Sequence, residues 1–396
     1  MNYNKFLSQK IKNVKESKTV AISNLANKLK QQGKDVLSLS IGEPDFDTPE
    51  EIIKSAEKAL EDNTTDYTAS NGVSQLRKKI SEKFRKDNNL DYDTDQIVVT
   101  NGAKHALYQT LQVLLDEGDN ILIPEPFWVS YSQMANSLGA ESKTLSTNLN
   151  ENFKITPKQI KNVTDKNTKA LILNSPSNPT GLVYSKEEIE KIAKECVKQD
   201  IILISDEVYE KFIYDEVNHF SPASLDREIY DNTITINSFS KTYAMTGLRC
   251  GYLAAPKAIS DQIVKLQGHT TTHACSISQQ GALAALNLDE KFIEAKVQKF
   301  LERRNYLSDR LEQIDGVRLS KPKGSFYAFP DISDRYDMDN EIENKSLAFC
   351  KNLIEQEGLA LVPGSAFGRD DCVRISFAAP IKTLEQGMNK LEKFLN

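Results

Sequence analysis

Cysteine is scarce in this chain: five in 396 residues, at Cys196, Cys250, Cys275, Cys350 and Cys372, with no Cys-x-x-Cys spacing. An odd, scattered set argues against a disulfide framework and for a reducing compartment. No apolar run approaches the length of a membrane span, and the lysine-rich opening MNYNKFLSQKIKNVKESK lacks the apolar stretch of a secretory signal. The expectation is a cytoplasmic protein with no membrane partner. Excess positive charge is missing too: 50 Lys and Arg against 56 Asp and Glu leave a net charge of −6, which removes any general attraction to nucleic acid. There is no G-x-G-x-x-G, no P-loop and no G-x-S-x-G, which weakens dinucleotide, NTPase and α/β-hydrolase readings. Of the four histidines, His269 and His273 are four residues apart with no third ligand nearby in sequence. No metal site is expected.

What is present suits a globular protein. The apolar fraction is 39% and the charged fraction 27%, both ordinary, and the length suggests two domains. Ile97–Thr100, Ile121–Ile123, Ala170–Leu173, Ile201–Ile204, Thr233–Ile236 and Gly251–Ala254 are short apolar runs without polar alternation. Such runs predict strands covered on both faces, as in a mostly parallel sheet. Helices alternate with them. Thr48-Pro49-Glu50-Glu51 predicts an N-cap threonine, a first-position proline and a capping-box glutamate, with Ile52, Ile53, Ala56, Ala59 and Leu60 along one face. Ser185-Lys186-Glu187-Glu188 predicts a second such start, above a stripe of Ile189, Ile192, Ala193 and Cys196. Beyond about residue 290 the pattern changes to a long charged helix (289–313) and strands near 325–329, 359–362 and 373–377. This predicts an α/β sheet domain followed by a smaller α+β domain.

Chemistry-bearing residues cluster where the predicted strands end, the place where ligands bind in a parallel sheet. Gly102-Ala103-Lys104 forms a small-residue turn into a helix, whose free N–H groups suit a phosphate. Trp128, the only tryptophan, lies in a proline-rich turn and could stack on a flat ligand or simply pack. Asn178 stands before Pro179 in a turn after a strand. Asp206 ends an apolar strand, where a carboxylate is costly unless a cation meets it, and Tyr209 follows three residues later. Lys241 stands just past another strand, where burial can lower its pKa and free an amine nucleophile; Ser238 and Arg249 flank it with groups suited to a phosphate.

The ordered set IGEPDF (41–46), NPTG (178–181), DEVY (206–209), SFSK (238–241) and Arg249 closely resembles the class I, fold-type I, pyridoxal-phosphate-dependent aminotransferases, and YTASNGVSQL (67–76) and GSFY (324–327) look like further family segments. The resemblance runs from about residue 37 to 377 and lies nearest the bacterial aspartate-aminotransferase branch. It implies an α/β fold: a large, mostly parallel seven-stranded sheet domain covered by helices (46–290) and a smaller α+β domain, made of an N-terminal arm (1–45) joined to residues 291–396. It also implies a homodimer with shared active sites. By the same resemblance Lys241 carries pyridoxal 5'-phosphate as a Schiff base, and Asp206 pairs with the ring nitrogen. Asn178 and Tyr209 bond the phenolic oxygen, and Trp128 stacks on the ring. Gly102, Ala103, Lys104, Ser238 and Arg249 hold the phosphate, with Tyr67 reaching that of the neighbouring subunit. Arg374, between Val373 and Ile375 on a predicted strand, takes the substrate α-carboxylate with help from the Gly42 N–H, beside Trp128 and Asn178.

Lys104 occupies a position where one aspartate-specific subgroup carries a lysine for the distal carboxylate. The expected reaction therefore moves the amino group of L-aspartate to 2-oxoglutarate. Aromatic amino acids, alanine or kynurenine as substrates, or β-lyase chemistry, are the alternatives. The first 76 residues contain no arginine, which weighs against prephenate as a substrate. A regulatory, DNA-binding relative of the same fold is disfavoured, because only about 40 residues precede the Gly42 motif and they show no helix-turn-helix pattern.

Overall fold

The computed structural model describes residues 3–15, 18–336 and 343–396. A short strand, β1 (Leu37–Ser38), precedes seven that form one sheet: β2 (Ile97–Thr100), β3 (Asn120–Pro124), β4 (Glu141–Leu145), β5 (Thr168–Asn174), β6 (Ile202–Asp206), β7 (Thr233–Ser238) and β8 (Gly251–Ala254). Their order is β2-β8-β7-β6-β5-β3-β4. Only β8 runs antiparallel to its neighbours. Five of the six predicted runs fall inside these strands, and the sixth overlaps β6 with its start one residue early. The missed strand is β4, an edge strand with a mostly polar sequence, so apolar content could not reveal it. Helices cover both faces, giving one core around Ala106, Leu107, Ile121 and Ile234 and another around Leu122, Leu171, Ile189 and Cys196.

The later strands β9 (Tyr327–Ala328), β10 (Leu359–Ala360), β11 (Val362–Pro363) and β12 (Val373–Ser376) serve two other sheets. The predicted 359–362 strand is in fact two, because β10 pairs with β1 while β11 pairs with β12, which in turn pairs with β9. One apolar cluster joins Ile22, Ala26, Leu29 and Leu39 near the start of the chain to Phe300, Leu307, Leu353 and Leu384 near its end. The long helix spans Glu290–Glu312.

Two helix expectations need correction. The 185–188 start forms its capping box as predicted, with Ser185 and Glu188 both engaged. The helix Glu50–Glu61 instead begins after Pro49 with no side-chain cap. Thr48 Oγ1 donates to the Ala244 carbonyl at 2.7 Å, so a tertiary partner has taken the capping hydroxyl. Ile52 and Ala59 are buried in that helix, but Ile53 and Leu60 are 43% and 57% exposed. The helix packs on Ser276–Ala285, which covers only a narrow stripe.

Candidate active site

A cavity of about 740 Å³ opens at the carboxyl end of the central sheet. Of the residues singled out from the sequence, Gly42, Ala103, Lys104, Trp128, Asn178, Asp206, Tyr209, Ser238, Lys241, Arg249 and Arg374 line it. They come from points more than 300 residues apart, so their convergence is a property of the fold.

Lys241 sits in a helical turn, Phe239–Thr242, directly after β7. Ser238 Oγ caps that turn by accepting from the Ser240 N–H at 3.1 Å. This fixes where the lysine leaves the backbone. The amine donates to the Gly42 carbonyl at 2.6 Å. Burial lowers its pKa to about 8, assisted by Arg374, Arg249 and Lys104 and opposed by Glu43. An amine held there is neutral far more often than an ordinary lysine, which is what a nucleophile or proton carrier needs.

Asp206 ends β6 between β5 and β7. Burial pushes its pKa up to about 6, against a 2.6 Å hydrogen bond donated by Tyr131 and a weaker one from the Val208 N–H. The carboxylate makes no ion pair among the described residues, with Lys241 acting on it only weakly through space, so the site favours a ligand that brings a positive charge to it. Asn174 organises the neighbouring turn: its Nδ2 donates to the Asp206 carbonyl at 2.9 Å and its Oδ1 accepts from the Asn178 N–H at 2.8 Å. Glu207 turns into a separate buried group with Ser205, His219 and Ser221, next to the Lys83–Glu210 pair. That group anchors the end of β6.

Opposite, the helix Ala103–Leu114 begins after β2. N–H groups in a first turn have no helical carbonyl to bond, and they favour an anion. Gly102 is not among the residues that line the cavity. It is the N-cap, with φ +82°, and a Cβ there would lie 2.6 Å from Arg249 Nη2. Its missing side chain is what lets the guanidinium reach the helix start. Arg249 in turn adopts φ +51° and donates to the Thr246 carbonyl at 2.8 Å. A left-handed arginine costs about 1–2 kcal/mol, so packing holds it there. Helix start, guanidinium and nearby Ser238 give this corner of the cavity a chemistry suited to an anion.

Arg374 lies on β12, 6% exposed, with Val373 and Ile375 buried in the apolar cluster. Nη1 donates to Asn178 Oδ1 at 3.0 Å and Nη2 to the Ser40 carbonyl at 2.8 Å. The guanidinium lies over the rings of Tyr327 at 4.4 Å and Phe367 at 5.1 Å. Nε is buried without a partner. A buried guanidinium with no ion pair and an orphaned N–H has the chemistry to accept a carboxylate. Lys104 Nζ stands 4.9 Å from the Trp128 ring centre, and burial and Arg249 lower its pKa. Trp128 meets Tyr131 edge-on.

Tyr67, expected at the phosphate of a neighbouring subunit, lies outside this chain's own cavity. It is 87% exposed and meets only His273 edge-on. Sequence reasoning missed Tyr131, Asn174, Ser240, Tyr327 and Phe367. GSFY (324–327) and SFSK (238–241) contained Tyr327 and Ser240 without giving either a role, and Tyr131, Asn174 and Phe367 carried no signal of their own.

The fold and the cavity define a class: an α/β protein with a buried amine of lowered pKa, a buried carboxylate, a helix start beside a guanidinium, and a second buried guanidinium without an ion-pair partner. Residues 34–391 match the family described as aminotransferase class I and II, and the chain belongs to that family. It is 40% identical over 396 residues to an aspartate aminotransferase of Geobacillus stearothermophilus, covering 98% of both chains. It is 39% identical to that of Bacillus subtilis, again over 98% of both. Among solved structures it resembles the Thermus thermophilus aspartate aminotransferase with maleate, with TM-score 0.92 and 34% identity over 98% of this chain and 99% of that one. The Rhizobium meliloti aspartate aminotransferase gives TM-score 0.93 at 32% identity, over 98% of each.

Proposed function

We propose that this protein is an aminotransferase that uses pyridoxal 5'-phosphate to move the amino group of L-aspartate to 2-oxoglutarate. The observation that carries the reading is the convergence of Lys241, Asp206, Arg249 and Arg374 on one cavity. The donor set fits the cofactor: Lys241 for its carbonyl carbon, Asp206 for its ring nitrogen, Asn178 and Tyr209 for its phenolic oxygen. Trp128 suits the ring face, and Ala103, Lys104, Ser238 and Arg249 suit its phosphate. When bound, the cofactor supplies an electrophilic carbon and a ring that accepts electrons.

The chain's own residues do the rest. Arg374, held by Asn178 and the Ser40 carbonyl, fixes the substrate α-carboxylate as a planar fork, with the Gly42 N–H beside it. Lys241 Nζ, whose pKa burial lowers to about 8, would take the proton from the substrate α-carbon and deliver it to the cofactor's reactive carbon on the far side of the amino nitrogen. Asp206, held by Tyr131, would supply the negative charge that a protonated ring nitrogen needs. Lys104 binds the distal carboxylate; no carboxylate pairs with it among the described residues. Two likenesses support this choice. The Thermus relative was solved with maleate, a four-carbon dicarboxylate, and the Geobacillus and Bacillus relatives are aspartate aminotransferases.

The same reading divides the chain into residues 46–290, which carry the cofactor, and a smaller unit of 1–45 with 291–396. The apolar cluster that ties the two chain ends together supports it. It makes the protein a homodimer whose Tyr67 reaches the partner's phosphate cradle. Exposed Tyr3, Phe6, Leu7, Ile11, Ile53, Leu60 and Tyr67 support that arrangement. Five free cysteines support a cytoplasmic location, and no helix among the described residues is long and apolar enough to cross a membrane.

An absorbance spectrum of the protein loaded with pyridoxal phosphate tests the reading. A visible band that fades to the near ultraviolet on adding L-aspartate without a keto acid is expected. A band that responds only to alanine or an aromatic amino acid would discard aspartate. A protein that takes up no cofactor would sink the assignment.

A further inference from the structure

One side chain touches both halves of the site, and neither the family segments nor the reaction assigns it a task. Tyr327 lies on β9, whose neighbour β12 carries Arg374; Tyr327 itself pairs with Ser376, two residues further along. It is 1% exposed. Its hydroxyl lies 3.2 Å from that of Tyr209, with either able to donate. The face of its ring lies 4.4 Å below the Arg374 guanidinium. A Cβ at Gly42 would stand 3.1 Å from its hydroxyl, so the loop that receives the Lys241 amine is packed against it as well.

We propose that Tyr327 is a positioning residue that joins the two sites: its hydroxyl directs the Tyr209 proton towards the cofactor's phenolic oxygen, and its ring holds Arg374 in place for the substrate carboxylate. This rests on the pyridoxal-phosphate reading of the cavity. Tyr209 is buried, and Tyr327 is the only hydrogen-bond partner found for its hydroxyl among the described residues. A pair of hydroxyls shares one proton between them. If Tyr209 donates to Tyr327, its own proton is spent within the protein. If Tyr327 donates to Tyr209, the Tyr209 proton is free for the ligand, and the two bonds in series strengthen each other. An acceptor oxygen at the cofactor position selects the second arrangement. The charged groups facing the pair are Arg374 from β12, Asp206 from β6 and Glu43 from the loop after β1. The ring contact adds a separate function. A guanidinium resting on an aromatic face keeps its planar fork in one orientation, which a carboxylate needs.

The two functions separate by substitution, because Tyr327→Phe removes the hydroxyl and keeps the ring, while Tyr327→Leu removes both. The probe is the visible band of the full chain loaded with pyridoxal phosphate, titrated with pH, and the affinity for maleate read from the same spectrum. A hydrogen bond to the phenolic oxygen favours its anionic form. Losing its orientation makes the chromophore hold its proton to higher pH. Y327F is expected to raise the midpoint by about half a pH unit while leaving the maleate affinity within about twofold. Y327L is expected to raise the midpoint equally and to weaken maleate about tenfold. Tyr209→Phe is expected to raise the midpoint further, and the Y209F/Y327F double variant no further than Y209F alone. The equal shift in Y327F and Y327L keeps the test open if one of them does not fold. A merely structural tyrosine would change stability and leave the midpoint where it is.

Unchanged midpoints in folded, coloured Y327F and Y327L would overturn the inference alone. Additive shifts in the double variant would overturn the route through Tyr209. A wild-type protein that forms no visible band would overturn the cofactor reading, and this inference with it.

Discussion

The long helix Glu290–Glu312 and the cavity treat positive charge in opposite ways. On the helix, Arg303 forks onto Asp45 at 2.7 and 2.8 Å, and Arg304 onto Asp215 at 2.6 and 3.1 Å. Arg310 meets Glu392 at 2.7 Å. Those charges are neutralised inside the chain. In the cavity, Lys104, Lys241, Arg249 and Arg374 have no carboxylate partner among the described residues, although all four line one space. Holding unpaired cations together is unfavourable for folding. The arrangement makes sense where anionic ligands complete it. Paired arginines build the protein; in the proposed function, Arg249, Arg374 and Lys104 are left free for a phosphate and two carboxylates.

The largest break in that comparison comes from Lys241→Ala. Loss of the amine removes both anchor and proton carrier, and kcat is expected to fall at least about a thousandfold, with the visible band lost on loading. Arg374→Ala comes next: kcat/KM for aspartate is expected to fall about 100- to 1000-fold, and Arg374→Lys is not expected to restore it, because an ammonium cannot fork.

The third concerns the unpaired carboxylate. Burial holds the Asp206 pKa at about 6 in the folded, cofactor-free protein, above its unfolded value of about 3.9. A raised carboxylate pKa means the folded state binds more protons than the unfolded chain across that window. Stability of the cofactor-free protein is therefore expected to fall as pH rises from about 4 through 6, by at most about 3 kcal/mol. Denaturant melts at several pH values should show that decline, and Asp206→Asn should flatten it.

Lys104→Met is expected to raise KM for aspartate about tenfold and to leave alanine turnover unchanged. An equal effect on both would remove the distal-carboxylate role. The smallest effect belongs to the paired set. Asp215→Asn leaves Arg304 buried beside a neutral amide, but Asp215 is 38% exposed, so the loss is about 1 kcal/mol of stability. Activity per folded molecule should not change. A large fall in kcat there would erase the distinction between structural and ligand-binding arginines.

Much of this was legible in the residues. Strands covered on both faces must be apolar throughout, so six of the seven central strands announced themselves, and the polar edge strand Glu141–Leu145 did not. The Ser185 capping box is a local device and formed as its residues predict. Thr48 had the same local signature and was claimed by Ala244, 196 residues away. Lys241, Asp206 and Arg249 stood out because charges beside apolar strands need a reason.

By itself, then, the sequence determined which segments become strands and helices, and which charged side chains end up at strand ends, because period and capping act over a few residues. Tertiary structure alone decided the rest. It brought Arg374 to Asn178 across 196 residues, seated Arg249 over a glycine without a side chain, and set the hydroxyl of Tyr209, in the turn after β6, against that of Tyr327 on β9. It also lowered an ordinary lysine to about pKa 8. Each of these depends on desolvation or on contacts between distant segments, and neither exists until the chain has packed.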